Sequence, residues 1–204
     1  MSYTPFGYSE KLPENIKDAF MWLCQDVSIL QSKWDFFSYL FGTKANTDLL
    51  SELAPASFNM IFDSLLNDIT MAICRLSDPS KSGRDLERYN LSFSTLVDMC
   101  DQIEGLKELL KDFRNVCKPI TQTRNRRVGH RDLDTAIRPL ENPLPGITKQ
   151  QIERILKTAT DFLNTVYKNY DNGFLVFHMV VPGGADALIF WLTKAKASDS
   201  EMKQ

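Results

Sequence analysis

The chain is poor in the residues that metal, redox and membrane chemistry draw on. It holds two histidines and four cysteines in 204 residues. Cys24, Cys74, Cys100 and Cys117 stand far apart, with no CxxC pair, so no zinc site is expected. Each lies in an apolar context, as buried free thiols of a reducing cytoplasm do. No run of 18 apolar residues occurs, which excludes a membrane-spanning helix. The opening MSYTPFGYSEKLPEN has no basic stretch followed by an apolar one, so no secretory signal is expected. There is no GxGxxG, no P-loop and no HExxH, which leaves dinucleotide, nucleoside-triphosphate and zinc-protease chemistry without a motif. The expectation is a soluble cytoplasmic protein with no metal, no cofactor and no membrane partner. The formal net charge of −2 also argues against a basic nucleic-acid binder, unless a local patch supplies the attraction.

What the chain does contain is helical periodicity. Ile16, Phe20, Leu23, Val27, Leu30, Trp34, Phe37 and Phe41 recur in steps of three and four, one stripe of a long helix. Pro13 suits its first turn and Gly42 its stop. A short helical piece is expected around Thr47–Leu53. Phe58, Phe62, Leu65, Ile69, Ala72 and Leu76 mark a second long helix, ended by Asp78-Pro79. Residues 80–85 have loop composition. Helices are predicted over Leu91–Cys100 and Ile103–Cys117, with Pro119 interrupting before a helical stretch resumes toward His130. Residues 139–146, with three prolines, read as a stiff connector. Thr148 and Gln151 form a capping-box signature for a helix carrying Ile152, Leu156, Ala159, Leu163, Val166 and Tyr170. Residues 174–181 are rich in strand formers and predict a short strand or hairpin. A last helix runs from about Ala185 to Lys196, and the tail 198–204 is expected to fray. The fold class is all-α: an antiparallel bundle of four to five main helices, forming one domain over 1–204. Phe20, Trp34, Phe62 and Leu110 are assigned to its core.

Charge is uneven in one place. Between Phe113 and Arg131 lie Arg114, Lys118, Arg124, Arg126, Arg127, Arg131 and His130, with no acidic residue. Composition alone leaves two readings open: a solvated helix end whose cations complement the dipole, or a phosphate site. The string Thr-Arg-Asn-Arg-Arg-Val-Gly-His-Arg-Asp at 123–132 adds chemistry. An imidazole with an ordinary pKa of about 6.5 exchanges protons near neutrality. A guanidinium holds phosphate through paired hydrogen bonds, and an asparagine both donates and accepts. Those types suffice for metal-independent RNA cleavage. A base assists attack of the 2′-OH on phosphorus, an acid protonates the leaving 5′-oxygen, and a cation steadies the phosphorane.

Arg124-Asn125, four residues, then His130 resembles the R-N-x4-H form of the signature of the HEPN superfamily. The string RNRRVGHRD is similar to the AbiU-type branch, linked with abortive infection, and Arg75-Leu76-Ser77-Asp78 resembles that branch's "RL-x-D" helix ending. Gly129 departs from the alanine common there and loosens the turn. The resemblance implies an all-helical homodimer with the motifs facing each other across a cleft. Arg124 would bind the scissile phosphate, His130 would serve acid–base catalysis and Asn125 would orient either. Products would be a 2′,3′-cyclic phosphate and a 5′-hydroxyl. Arg126, Arg127, Arg131 and Lys118 are candidate substrate contacts.

On an ideal helix Arg124 and His130 lie about 240° apart, so convergence needs a distorted turn or a partner subunit. Arg126 and Arg127 are better spaced for sharing a face with His130. Asp68 and Arg75, seven apart on the second long helix, are candidate supports, with a surface ion pair as the plainer role. Asp132 and Asp134 suit either pairing with an arginine or solvated capping. His178, between Phe177 and Met179, is read as a packed histidine. The favoured function is an RNA endonuclease of toxin or phage-defence type. The alternative is a non-catalytic dimeric module binding RNA, nucleotide, an antitoxin or another protein. A third reading makes the motif an accident in an unrelated bundle.

Overall fold

Apolar stripes at 3.6-residue spacing must find partners, and the helices they specify dominate the structure. The computed structural model describes residues 11–83, 88–125, 147–178 and 183–202. In chain order these form α1 (Glu14–Phe41), α2 (Lys44–Leu53), α3 (Pro55–Ser77), β1 (Lys81–Ser82), β2 (Arg88–Tyr89), α4 (Phe93–Met99), α5 (Leu106–Thr123), α6 (Lys149–Tyr170) and α7 (Ala185–Met202). Among the described residues the fold is all-α apart from this two-stranded hairpin. No helix among the described residues is long and apolar enough to cross a membrane. The connector 139–146 lies outside the described residues.

The chain forms two compact units, with the divisions falling inside α1 and α3. The first takes residues up to Ile29 and Thr70–Phe177. Its centre is aromatic: Phe93, fully buried, stacks on Phe162 at 4.3 Å and meets Phe113 at 4.7 Å. α5 packs along α6 and against α4. The predicted stripe Ile103, Leu106, Leu110, Phe113 and Cys117 is buried, as are Ile152, Leu156, Ala159, Leu163 and Val166 of α6. α6 starts as expected, on a complete capping box. Thr148 Oγ1 accepts from the Gln151 N–H, and the Thr148 N–H donates to Gln151 Oε1. After α6 the backbone turns at Gly173, where a Cβ would come within 2.7 Å of the Tyr167 ring. That ring in turn stacks on Phe20.

The second unit holds Leu30–Ile69 and the residues from His178 onward. Leu40, Leu50, Phe58 and Ala185 form its buried cluster, flanked by Phe36, Phe41, Leu188, Ile189 and Leu192. α2 is capped by Thr43, whose hydroxyl accepts from the Asn46 N–H, and packs on α7. Lys196 and Glu52 tie these two helices at 2.6 Å.

Five expectations need correction. Pro119 does not interrupt α5. The helix passes through it to Thr123, and the Thr123 hydroxyl turns back to donate to the Pro119 carbonyl. Packing of α5 against α6 outweighs the rung that proline removes. Phe62 is not core. It is 36% exposed, with its ring against Phe37 and Phe41 at 5.1 Å each. The segment 174–178 forms no strand. Exposure alternates as in a strand, with Phe174 and Val176 out and Phe177 in, but its partner is a side chain. Asn164 accepts from the Leu175 N–H at 2.8 Å and donates to the Leu175 carbonyl at 3.1 Å, standing in for a neighbouring peptide. Residues 179–181 of that expectation lie outside the described residues. The strand pair sits instead at Lys81–Ser82 and Arg88–Tyr89, the first of them inside the stretch of loop composition at 80–85. Lys81 pairs with Tyr89 and Ser82 with Arg88, and Asn90 closes the base through Pro79 and Ser80 carbonyls. Finally, α7 continues to Met202, past Lys196, so the backbone from Ser198 to Met202 is helical where fraying was expected.

Candidate functional site

α5 delivers Arg124 to its own C-terminal end. The backbone there is still helical (φ −55°, ψ −49°), and the Arg124 N–H reaches both the Ile120 and Thr121 carbonyls. The turn then widens to π geometry over Arg124–Asn125, a distortion common at functional sites. Asn125 is exposed. The turn between Asn125 and His130, Gly129 included, whose distortion would be one way to bring the imidazole to Arg124, lies outside the described residues. Arg126, Arg127, His130, Arg131, Asp132 and Asp134 lie outside the described residues.

The Arg124 side chain is half-buried and faces the end of α3. Its Nη2 lies 3.9 Å from Asp78 Oδ1, an ion pair too long for a hydrogen bond. Its Nε is buried with no acceptor among the described residues. Burial pushes the Asp78 carboxyl above its usual pKa, and the charges of Arg124 and Arg75 work against that rise. Beneath lies Cys74. Burial raises its thiol strongly enough to outweigh the opposing pull of Thr121 and Arg124, and Asp78 adds to the rise. The Cys74 Sγ donates to the Thr121 hydroxyl at 3.9 Å, and that hydroxyl donates to the Cys117 carbonyl at 3.2 Å. Arg124 also lies within hydrogen-bonding reach of the Cys74 thiol, and a neutral thiol is a poor acceptor, so that contact holds the guanidinium only weakly.

The backbone of Asp78 is fixed from the other side. Ser94 at the start of α4 donates to the Asp78 carbonyl at 2.6 Å, and Arg114 Nη2 donates to Ser94 Oγ at 2.7 Å. Arg114 and Arg124, both from the basic segment, thus bracket the α3 terminus.

The structure brings Arg124 together with Asp78, with Arg75 near enough to act on the same carboxyl. Lys118 is exposed on α5. Asp68 lies in the second unit and pairs with Lys33 at 2.5 Å, the ion pair considered as its plainer role. His178 is not packed. Its side chain is 64% exposed, with Nδ1 3.1 Å from Asp35 Oδ2. Asp78, Cys74, Thr121 and Ser94 were not singled out from the sequence as site residues. In the sequence Asp78 stands out as a helix stop and as the close of the "RL-x-D" ending, not as a site residue.

All four cysteines are free and buried. Among the described residues no group of His, Cys, Asp and Glu could hold a metal ion. No curated protein and no solved structure matches the chain. The family model described as AbiU2, of HEPN type, matches residues 14–187, from the first residue of α1 into the first turn of α7. The match takes in both stretches whose wording resembled that branch, Arg75–Asp78 and the string beginning at Arg124, and the fold sets Asp78 against Arg124. The chain belongs to the AbiU2 family of the HEPN superfamily.

Proposed function

We propose that the protein is a metal-independent RNA endonuclease of abortive-infection type, working as a homodimer with the Arg124-Asn125…His130 motif at the subunit cleft. One observation carries the reading: Arg124 stands at a widened helix end with guanidinium N–H groups not engaged by its counter-ion. A guanidinium in that condition can take phosphate oxygens at small cost, because few internal hydrogen bonds have to break. His130 follows within the same motif, and Arg126, Arg127 and Arg131 add charge for the RNA backbone. In this scheme His130 moves the proton between the 2′-OH and the 5′-leaving oxygen, Arg124 neutralises the phosphorane, and Asn125 orients the phosphate.

The test incubates the purified dimer with RNA in excess chelator, beside His130→Ala. The expected products end in 2′,3′-cyclic phosphate and 5′-hydroxyl, and the variant loses about 10²–10⁴-fold in rate. Equal cleavage by both proteins refutes the assignment. Binding without cleavage by the wild type transfers the site to the non-catalytic module, with RNA or a partner protein as its ligand.

A further inference from the structure

We infer that Asp78 is an internal counter-anion to Arg124, occupying the guanidinium until a phosphate displaces it. The inference rests on the reading of Arg124 as a phosphate-binding residue and deepens it.

Two roles for a carboxylate beside a functional arginine are distinguishable by geometry. A carboxylate that positions a guanidinium does so through short, paired hydrogen bonds, which fix the plane of the fork. A carboxylate that only balances charge can stay at longer range. At 3.9 Å from Nη2, Asp78 is in the second condition. Nothing is fixed by that contact except charge.

The carboxylate itself is held in place by its backbone. Its carbonyl accepts from Ser94 Oγ, and its N–H donates to the Arg75 carbonyl at 3.3 Å. The Asp78 main chain is therefore anchored on α4 and on its own helix end, while the carboxyl has Arg124 as its ion-pair partner and Arg75 as a second, weaker positive charge. Burial makes that carboxylate an uncomfortable anion, as the upward displacement of its pKa reflects. Departure of Arg124 toward a stronger anion leaves Asp78 free to hydrate or to take a proton. A phosphate brings more charge and more acceptor oxygens than a carboxylate and can use the guanidinium fork in pairs. The exchange replaces a long contact by short ones.

The experiment measures binding of a 2′-O-methyl RNA octanucleotide, which lacks the attacking hydroxyl, by fluorescence anisotropy at fixed salt. Asp78→Asn is expected to tighten binding by about three- to fivefold, the scale of a half-exposed ion pair. The same change in an Arg124→Ala background is expected to have no effect. Equal gains in both backgrounds overturn the proposal, because they report only general charge. Weaker or unchanged binding in Asp78→Asn overturns it too, and weaker binding makes Asp78 a positioning residue instead. NMR of the unsubstituted chain removes any dependence on how the variants fold. On titration with inorganic phosphate, the Arg124 Nε–H signal and the Asp78 carboxyl carbon are expected to move with one midpoint. Movement of Arg124 alone, or of neither, overturns the proposal. Phosphate exchange without oligonucleotide binding leaves the counter-anion standing and removes the RNA reading. Oligonucleotide binding that needs Arg124 but ignores Asp78 does the reverse.

Discussion

Replacing Asn164 with alanine tests how the extended segment after α6 is held. Asn164 is 4% exposed, and its amide makes both hydrogen bonds to the Leu175 backbone, at 2.8 and 3.1 Å. Each bond is worth about 1 kcal/mol net, and a buried group left unpaired costs about 1–3 kcal/mol more. Leu175 is half-buried, so its freed N–H and carbonyl can recover water and the second penalty is largely avoided. The expected loss is therefore about 2–3 kcal/mol, read as a lower urea midpoint at constant slope. The Leu175 amide should also exchange with solvent much faster in Asn164→Ala. Asn164→Asp sharpens the test: it keeps the acceptor for the Leu175 N–H but sets a charged oxygen against the Leu175 carbonyl. It should be the worse of the two at neutral pH and should partly recover on acidification. If alanine shifts stability by less than about 0.5 kcal/mol and Leu175 exchange is unchanged, the segment is held by Phe177 burial and not by the Asn164 amide.

Other outcomes follow from particular contacts. Phe93→Ala empties a fully buried site between Phe113 and Phe162 and should cost about 3–5 kcal/mol by urea unfolding, with Phe93→Leu recovering part of it. Thr148→Ala removes the cap of α6 and should cost about 1 kcal/mol, measured the same way. Asp78 has a raised folded pKa, so its protonated form favours the native state and stability is lost as pH rises through that value. Asp78→Asn should therefore gain stability over the wild type above the raised pKa, with the gain fading as pH falls to the ordinary carboxylate range; a gain that grows on acidification would contradict the assignment. Burial pushes the Cys24 and Cys117 thiols far above their usual range, and all four thiols are buried. Ellman's reagent at pH 8 should react slowly with native protein and rapidly with all four after denaturation.

The helices were legible because their stripes are local. Ile103 through Cys117 and Ile152 through Val166 repeat on one face, and the fold buries both series. The capping box at Thr148 was readable for the same reason: both halves lie within four residues. Pairings made across the chain were not readable. The strand-like alternation at 174–177 is real, but no spacing rule points to Asn164 as its partner. Phe62 sits on the stripe of α3, yet nothing in the stripe tells that its outer edge faces solvent. The site divides along the same line. Arg124 and Asn125 stand out through composition and motif wording, whereas the carboxylate beside Arg124 comes from another helix end, and neither its place before Pro79 nor the "RL-x-D" wording says which cation it meets. Asp68 shares a helix with Arg75, and the contact the structure gives it is the ion pair with Lys33.

Pro119 gives α5 a property that reaches beyond its shape. Without an N–H at that position the Asn115 carbonyl loses its rung, and the hydroxyls of Thr121 and Thr123 compete for the Cys117 and Pro119 carbonyls just where the coil loosens toward Arg124. Ile120 and Thr123 are buried all the same, so the missing rung sits in a final turn that packing still holds. Replacing Pro119 with alanine should therefore restore the Asn115 rung and re-aim the guanidinium while Ile120 and Thr123 stay buried, so that the arginine's bearing shifts at one position that carries no core side chain.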